Sequence, residues 1–523
     1  MAAATYTSDL TDIALFESTG SVSAFGGGAG GLGASADYAI QGTNAVDKQV
    51  SSAEKGFMYD NTANFTIGAD DHFFEWIVVG TYGLADTRDN RGIVMCIGDS
   101  TSAFVKFHVN GSDTLPAGGI QPYAVRFDNT ALANRRTLVG SPGTTPSWIG
   151  GGANITGTAK FSNFACDAAR IGTGYDILNG TGADPEADFA GIASDDVSTS
   201  EGIFQPTGGG YNLQGKLRIG SASTACEFLD SNTNINIMDT IHSLTDFTEL
   251  LIEHASSILT LTNVNFEALG TNNPGRLEVL TSAATLALTN VGFISFGVTI
   301  LGSGSTIVGC RWISTALITT NGATMIGCSF DQLTGAVGVT ASSPANAGLI
   351  TDSEFVSDGT GNGLEITGTA ANITLSNLDF TGYSTTVDAD KAIYVNIATG
   401  SMTINISGGS GVTASSHVRT AGCTVTVSAD VTVTFTGMKD NTEVRVYNAS
   451  TGVEIAGIEN ATAGTTDNRS FAWSSPAATV VGYVIHNWDG AEPFYQTILK
   501  NDYTVPSANA DIGITQLIDR NSA

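Results

Sequence analysis

The sequence predicts an all-β protein built from three consecutive parts: an N-terminal jelly-roll sandwich, a central right-handed parallel β-helix and a C-terminal β-sandwich. The first observation is composition, since charged residues make up 14% of the 523 residues and 63 are glycine, whereas ordinary soluble domains carry about 25% charged residues. The second is a six-residue window, ending in an aromatic residue, that recurs through the middle of the chain. The third is strict alternation of apolar and polar residues near the C-terminus. Helical bundles, coiled coils and large α/β enzymes fit none of these features.

The charge balance and the longest charge-free stretch argue against two classes of partner, nucleic acids and membranes. The formal net charge is −29 at pH 7, and so acidic a chain repels the phosphate backbone of nucleic acids. Residues 281–310 carry no charge and are long enough to span a membrane, but Thr, Ser, Asn and Gly interrupt them every few residues. We therefore expect buried strands there, no membrane insertion and no nucleic-acid binding. Asp9, Asp12 and Glu17 stand where an export signal would carry a basic start and an apolar run, so secretion by that route is not expected.

No metal or cofactor is expected. The cysteines form no CxxC pair and have no neighbouring histidine, which argues against zinc and iron–sulfur sites and predicts free thiols. They are Cys96, Cys166, Cys226, Cys310, Cys328 and Cys423. Gly28, Gly30 and Gly33 formally match GxGxxG, but no buried strand precedes them and no helix follows them, as a phosphate-binding loop requires.

Acidic residues cluster at three places in the first 200 residues. The clusters are residues 184–188, the pair Asp195 and Asp196, and the pair Asp70 and Asp71 with Glu75. None has the twelve-residue spacing of oxygen ligands, with a central glycine, that a calcium loop uses. We interpret all three as solvated loops of an acidic protein.

The N-terminal part divides into an irregular docking segment, residues 1–60, and a sandwich, residues 61–209. Five strand-like runs separated by turns occur between Phe65 and Phe127, which favours an antiparallel sandwich. The runs DYAIQGTNAVDKQVSSAEKGFMYDN and RGIVMCIGDS resemble concanavalin-like or laminin-G-like jelly-roll domains found near the start of phage virion proteins. The resemblance covers roughly residues 15–210. It implies the fold but no sugar binding, because no ordered set of Asp and Asn calcium ligands accompanies it.

Residues 210–415 contain the recurring window. The copies are LTNVNF, LTNVGF, IVGCRW, MIGCSF, ITDSEF and LSNLDF, whose final aromatics are 27, 19, 18, 25 and 25 residues apart. That period fits one coil of a parallel β-helix, and only stacked coils bury the apolar face of each. The spacing predicts a core column of Phe266, Phe293, Trp312, Phe330, Phe355 and Phe380. It also predicts a bend that favours left-handed backbone at Asn263, Asn290, Gly309, Gly327, Asp352 and Asn377.

The period of two along a strand assigns the other window positions to faces. Cys310 and Cys328 should point inward on adjacent coils and pack as small apolar thiols. Glu354 and Asp379, at the outward fifth position, should lie about 4.8 Å apart on neighbouring coils. Two carboxyl groups so close are what a retaining glycosidase uses, and this pair is the one catalytic candidate in the sequence. The other interpretation is that outward positions hold any polar residue, and on that basis we expect no enzyme.

Residues 421–523 are predicted to form the C-terminal sandwich. A glycine- and serine-rich stretch precedes TVTVSADVTVTF, the first of several strictly alternating runs. TGMKDNTEVRVYNASTGVEIAGIEN resembles the transthyretin-like or carboxypeptidase-regulatory-like sandwich that ends many phage structural proteins. The resemblance concerns architecture more than chemistry.

The layout of jelly-roll, β-helix and sandwich resembles structural or adsorption proteins of tailed-phage virions, namely tail spikes, tail fibres and head fibres. That resemblance implies a homotrimer displayed on the virion and assembled in the host cytoplasm. Its partners would be other virion proteins of the capsid, collar or tail and a glycan of the host surface. Two alternatives stay open: a capsid-decorating head fibre without a receptor role, and a tail spike that depolymerises polysaccharide.

Overall fold

The structure is a computed structural model in which most of the chain is described. It describes residues 5–26, 31–51, 53–68, 71–79, 92–109, 120–126, 136–143, 145–154, 162–178, 187–199, 201–238, 248–269, 275–476, 479–487, 495–506 and 509–519. Gly28, Gly30, Asp70, Asp184 and Glu186 lie outside the described residues. The prediction of an all-β protein is confirmed. The chain forms two compact units, Met1–Thr324 with Cys328–Val339, and Met325–Gly327 with Thr340–Ala523.

The first unit begins with an antiparallel sandwich of two six-stranded sheets. Its strands, after β1 (Thr5–Ser8), are β2 (Thr11–Ala14), β3 (Val22–Phe25), β4 (Leu32–Ser35), β5 (Ala45–Val50), β6 (Lys55–Asp60), β7 (His72–Val79), β8 (Ile93–Ser100), β9 (Ala103–Val109), β10 (Ile120–Arg126), β11 (Arg136–Val139), β12 (Trp148–Ala153) and β13 (Ser162–Gly172). One sheet has the order β10-β7-β13-β5-β4, with β2 also paired to β13, and the other has the order β11-β9-β8-β12-β6-β3. Their core contains Phe57, Phe73, Phe107 and Phe164.

The predicted irregular segment, residues 1–60, differs from this structure. Strands β2 to β6 all belong to the sandwich sheets. Each is only four to six residues long, and glycines and serines separate them, so their apolar positions are too few to show a period in the sequence. Burial of Val46, Val50, Phe57 and Met58 shows that these short strands supply part of the sandwich core.

After the sandwich, the first unit continues as stacked coils. Its elements are β14 (Gly174–Leu178), α1 (Phe189–Thr199), β15 (Phe204–Thr207), β16 (Gly210–Leu213), β17 (Lys216–Ile219), β18 (Glu227–Ser231), β19 (Asn234–Met238), β20 (Thr248–Ile252), β21 (Ile258–Thr262), β22 (Asn265–Leu269), β23 (Gly275–Val279), β24 (Thr285–Thr289), β25 (Gly292–Ile294), β26 (Val298–Ile300), β27 (Ser305–Val308), β28 (Arg311–Ile313), β29 (Leu317–Thr319) and β31 (Ser329–Asp331). Strands β30 (Thr324–Ile326) and β32 (Val337–Ala341) each have residues in both units.

The coils build three parallel sheets. Sheet one is β14-β17-β20-β23-β26-β29, sheet two is β16-β19-β22-β25-β28-β31 and sheet three is β18-β21-β24-β27. From β16 to β21 each strand pairs in parallel with the strand three places later, which is the connectivity of a parallel β-helix. Because β14 already pairs in parallel with β17, the coils start at Gly174, before the predicted residue 210. Helix α1 places Phe189 against Phe204, Phe228 and Phe266 and so covers core rings of the first coils.

The second unit has coils of its own, followed by a sandwich. The coil elements are α2 (Pro344–Ala347), β33 (Ile350–Thr351), β34 (Glu354–Val356), β35 (Asn362–Ile366), β36 (Ile373–Ser376), β37 (Asp379–Thr381), β38 (Ile393–Val395), β39 (Ser401–Ser407), β40 (Val418–Thr420) and β41 (Thr424–Met438). Sheet four is β33-β36-β39-β41, sheet five is β34-β37 and sheet six is β35-β38-β40.

Strand β41 belongs to both the coils and the C-terminal sandwich. Its first half pairs in parallel with β39 from Thr424 to Ala429. Its second half, from Asp430, pairs with two strands of the sandwich. The remaining strands are β42 (Thr442–Asn448), β43 (Glu454–Ile458), β44 (Ala463–Thr465), β45 (Asn468–Pro476), β46 (Val480–Asn487), β47 (Ile498–Thr504) and β48 (Ala510–Gly513).

This sandwich packs β41, β44, β45 and β48 against the four-stranded sheet β43-β42-β46-β47. Val433, Phe435, Val446 and Ile485 lie in its core. The predicted limits, residue 415 for the end of the coils and residue 421 for the start of the sandwich, differ from this structure, because the coil pairing runs to Ala429.

Candidate functional site

The predicted aromatic residues stack on the inner faces of sheets two and five. In the first unit, ring centroids are 5.4 Å apart for Phe266 and Phe293, 5.1 Å for Phe293 and Trp312, and 5.3 Å for Trp312 and Phe330, with planes within 19° of parallel. In the second unit, Phe355 and Phe380 stack at 4.7 Å. All six side chains are buried, so they are core and unavailable to a ligand. Their burial turns the residues on either side of each ring toward solvent.

The predicted bend residues hold the coils in register. Asn263, Asn290, Asp352 and Asn377 have φ between 52° and 54°, and Gly309 and Gly327 have φ of 63° and 65°. Only glycine, Asn and Asp adopt this left-handed conformation at low cost. The amides at these bends also bond between coils; for example, Asn377 Nδ2 donates to Asp352 Oδ1 at 2.7 Å.

The candidate catalytic pair lies on the outer face of sheet five. Glu354 begins β34, Asp379 begins β37, and the two residues are directly in register. Both are exposed, because each precedes a buried ring by one position. Neighbouring strands are about 4.8 Å apart, so the two carboxyl groups can approach one substrate. Ser410 forms an isolated parallel bridge with Asp379 and places a short side chain on the next coil.

A buried polar cluster follows the two carboxylate-bearing strands. The Ser357 hydroxyl, just after β34, donates to Asp390 Oδ1 at 2.6 Å, and the Lys391 ammonium donates to the Ser416 carbonyl at 2.9 Å. Asp390 is 5% exposed and Lys391 is 4% exposed. Tyr383, just after β37, has a pKa raised well above its usual range by burial and secondarily by Asp390 and Asp358. These hydrogen bonds tie the turn after β34 to Asp390, and Lys391 to the segment around Ser416.

Sequence reasoning missed this cluster. Asp390 closes a short 3₁₀ helix, Asp388–Asp390, in a segment that has no window motif. In a chain with 50 acidic residues, nothing in the local sequence separates a buried Asp from a solvated one.

Two of the acidic residues predicted in solvated loops, Asp196 and Asp188, have structural roles instead. Asp196 is fully buried and accepts backbone hydrogen bonds from Gly202, Ile203 and Phe204 at 3.1, 2.8 and 2.8 Å. Burial raises its pKa to about 6, against the lowering effect of those donors. Asp188, just before α1, accepts from the Gly191 amide at 2.6 Å. These carboxylates therefore order the helix and the loop that leaves it.

Glu75 is the clearest departure from the predicted solvated clusters. It is 1% exposed and points into the first sandwich, because the strand period places it on the same face as Phe73 and Ile77. Burial raises the pKa of its carboxyl to about 8. Across the sandwich, its Oε2 would lie 3.4 Å from a Cβ added at Gly151, so a glycine of β12 makes room for the carboxyl group.

The cysteines are buried free thiols. Cys310 Sγ accepts from the Val291 amide at 3.4 Å, and burial raises its pKa to about 12. Within the described residues, no group of three or more His, Cys, Asp or Glu side chains could hold a metal ion. Nor does any described helix have the length and apolar character needed to cross a membrane.

Comparisons with known proteins found no matching family model and no matching curated protein. Among solved structures, the chain matches a family 11 carbohydrate-binding module from Clostridium thermocellum in complex with a β-1,3-1,4-mixed-linked tetrasaccharide. The match is 10% identical, covers 33% of this chain and 96% of that chain, and has a TM-score of 0.21. A cellulose-induced protein, Cip1, is 12% identical over 32% of this chain and 97% of that chain, with a TM-score of 0.19.

Matches over most of the chain are to an enzyme. The catalytic domain of a GH87 α-1,3-glucanase in complex with tetrasaccharides is 9% identical, covers 81% of this chain and 85% of that chain, and has a TM-score of 0.17. The same domain in complex with nigerose matches at 10% identity over 78% of this chain and 85% of that chain, with a TM-score of 0.17. The expectation that the chain is not an enzyme is contradicted by these matches.

Proposed function

We propose that the chain is a polysaccharide depolymerase in which Glu354 and Asp379 are the catalytic carboxylates. The observation that carries the proposal is their geometry: two exposed carboxylates, directly in register on adjacent parallel strands. The buried cluster around Asp390 supports it, because a pair on short strands needs fixed turns to keep its spacing.

The spacing selects a retaining reaction. Adjacent coils lie about 4.8 Å apart, close to the ~5–5.5 Å between the carboxyl groups of retaining glycosidases and shorter than the ~6.5–9.5 Å of inverting ones. One carboxylate attacks the anomeric carbon while the other, as the acid, protonates the leaving glycosidic oxygen. A glycosyl ester forms and the leaving alcohol departs. The second group then accepts a proton from water, which attacks the anomeric carbon and releases the first carboxylate.

Display on a tailed-phage particle is the finer part of the proposal. The resemblance of the sandwich, coil and sandwich layout to tail spikes supports it, as does the acidic net charge of −29, which disfavours binding to the viral DNA. In this setting the chain is a homotrimer attached to other virion proteins, and its substrate is a glycan of the bacterial surface. A depolymerase spike combines adsorption with cleavage, which a passive head fibre does not.

The first prediction tests the pair directly. The purified full chain, incubated with a panel of bacterial capsular polysaccharides and lipopolysaccharides, should release new reducing ends from at least one of them. Glu354→Gln and Asp379→Asn should each lower the rate by about 10²–10⁴-fold, because each removes a group that transfers a proton or attacks the sugar. NMR of the first-formed product should show retention at the anomeric carbon.

The matched control is Glu267→Gln. Glu267 is an exposed carboxylate on the outer face of sheet two, but its neighbours in register are Asn236 and Ile294, so it has no carboxylate partner. This variant should keep the parent rate, and all three variants should keep the parent melting temperature. No release from any glycan, or equal release by parent and pair variants, would refute the assignment.

A further inference from the structure

Two ladders of asparagine amides run along the outer side of sheet two. At the bend before each strand, Asn263 Nδ2 donates to Asn232 Oδ1 at 3.1 Å and Asn290 Nδ2 donates to Asn263 Oδ1 at 3.3 Å. At the first residue of the strands, Asn265 Nδ2 donates to Asn234 Oδ1 at 3.1 Å. In both ladders the nitrogen faces the preceding coil. The carbonyl oxygen therefore faces the following one.

Each ladder stops at a glycine. Gly292 is in register with Asn265, and a Cβ there would lie 2.5 Å from Asn265 Oδ1. A Cβ at Gly309, the next bend residue after Asn290, would lie 2.6 Å from Asn290 Oδ1. The last oxygen of each ladder thus faces bare backbone instead of another amide. Among the described residues, none donates a hydrogen bond to either oxygen.

The two glycines leave a cavity of about 250 Å³, which we call the glycine notch; Asn265, Asn290, Gly292, Gly309 and Arg311 line it. Arg311 is in register with Gly292 on the next coil and is exposed. Its guanidinium forms no ion pair with any described carboxylate, although the chain has 50 acidic residues and 21 basic ones. The notch is smaller than the ~300–1,000 Å³ pockets that take drug-sized ligands, so it suits a single sugar residue.

We propose that the glycine notch binds a hexuronic acid residue of an acidic polysaccharide. Two carbonyl oxygens without protein donors favour a ligand with several hydroxyl donors, which a pyranose ring supplies and a sulfate ion does not. The planar guanidinium binds a carboxylate through two parallel hydrogen bonds. The acidic net charge repels anions in general, so an anionic ligand needs these matching contacts in order to bind. The inference rests on the proposed function only for the class of ligand, a glycan, and it adds the sugar type.

The experiment measures binding and needs no catalysis. The full chain is titrated by calorimetry with tetramers of galacturonic, glucuronic, mannuronic and guluronic acid, with the methyl ester of each, and with dextran sulfate. At least one acid tetramer should bind, and its methyl ester should bind about 10- to 100-fold more weakly, because the ester removes the charge that Arg311 meets. Dextran sulfate should bind no better than the ester.

Variants then locate the site. Arg311→Gln should weaken binding of the acid tetramer by about 10- to 100-fold. Arg311→Lys keeps the charge but loses the two parallel hydrogen bonds of the guanidinium, so its affinity should lie between those of the parent and the Gln variant. Gly309→Asn should abolish binding, because an asparagine at this left-handed position extends the ladder and fills the notch. Gly327→Asn is the matched control, since Gly327 has the same backbone conformation, φ of 65°, with open space around its Cβ position and no part in the notch.

The outcomes separate the two proposals. Three binding results would overturn the uronate assignment: equal affinity for acid and ester, binding of dextran sulfate as tight as that of the acid, or no binding of any tetramer. An unaltered affinity in Gly309→Asn at the parent melting temperature would overturn it as well. Failure of the catalytic proposal appears instead as uronate binding without new reducing ends in the preceding experiment.

Discussion

At the scale of single residues, the sequence predicts solvent exposure poorly where acidic clustering and the strand period point to opposite faces. Glu75 belongs to a run of acidic residues that suggests a solvated loop, but it also sits between Phe73 and Ile77 in an apolar strand. The strand period decides its position, and it is 1% exposed. Burial raises the pKa of its carboxyl group against the smaller, lowering effect of a hydrogen bond from the Cys166 thiol. The carboxyl group is therefore neutral at pH 7, because its pKa is raised to about 8.

This burial predicts a pH dependence of stability with a definite sign. An unfolded glutamate has a pKa of about 4.3, so between about pH 4.5 and pH 8 the folded chain holds a proton that the unfolded chain has lost. The free energy of unfolding should therefore fall as pH rises through this window, by up to about 1.4 kcal/mol per pH unit from this one group. Above about pH 8 its contribution should level off.

Glu75→Gln removes this titration while keeping the shape of the side chain. Between pH 6.5 and 8 the variant should lose stability less steeply than the parent in urea unfolding of the first sandwich, and at pH 8 it should be the more stable of the two. The window avoids most of the contribution from Asp167 and Asp196, whose pKa values are raised to about 6. Parallel pH profiles of parent and variant would show that Glu75 does not titrate in this range.

At the scale of elements, the recurring aromatic window predicts strand register better than any other pattern in the sequence, because it repeats. Each copy carries an aromatic ring, a left-handed bend residue and an outward position. Each copy alone is a weak indication, but all six predict the same register of the strands. Phe330 illustrates the result: its ring stacks on Trp312 and is fully buried, whereas Ser329, one residue earlier, lies beside Arg311 on the outer face. Strand β41 shows the limit. Its alternating residues predict a strand, but alternation does not say which neighbour pairs with it, and the two halves pair with different sheets.

The register predicts opposite effects for two adjacent substitutions. Phe330→Asp should unfold or aggregate the chain, because it removes a stacked ring and buries a carboxylate with no partner. Ser329→Asp should change the melting temperature little, since the new carboxylate is solvated and faces the Arg311 guanidinium. Soluble yield and thermal unfolding measure both effects. Equal tolerance of the two changes would mean that the face assignment is wrong.

At the scale of the whole molecule, the order of parts could be predicted but their limits could not. Composition and period identify sandwich, coils and sandwich in sequence. The domain boundaries depend on which strands pair across long sequence separations. For example, residues 162–166 of β13 pair with β5, and no local sequence pattern predicts that pairing. The carboxylate pair was predictable because both residues fall in aligned windows. Its buried support, Asp390 and Lys391, was not, because those residues lie between windows.

We expect the chain to assemble as a homotrimer, because the C-terminal sandwich leaves large aliphatic side chains and two sheet edges exposed. Leu499 and Leu517 are each 61% exposed and Val453 is 64% exposed, and β43 and β47 are the two edges of the four-stranded sheet. Closed symmetry covers such edges and such apolar surface.

Light scattering coupled to gel filtration should give about three times the 53.7 kDa chain mass. Leu499→Lys and Leu517→Lys should shift the mass toward that of one chain, since a charge that is solvated in the monomer would be desolvated in an apolar interface. Thr451→Lys, at an exposed turn of the same sandwich, serves as the control and should leave the mass unchanged. A parent protein of single-chain mass at micromolar concentration would rule out the trimer, and a trimer unaffected by both leucine variants would place its interface elsewhere in the chain.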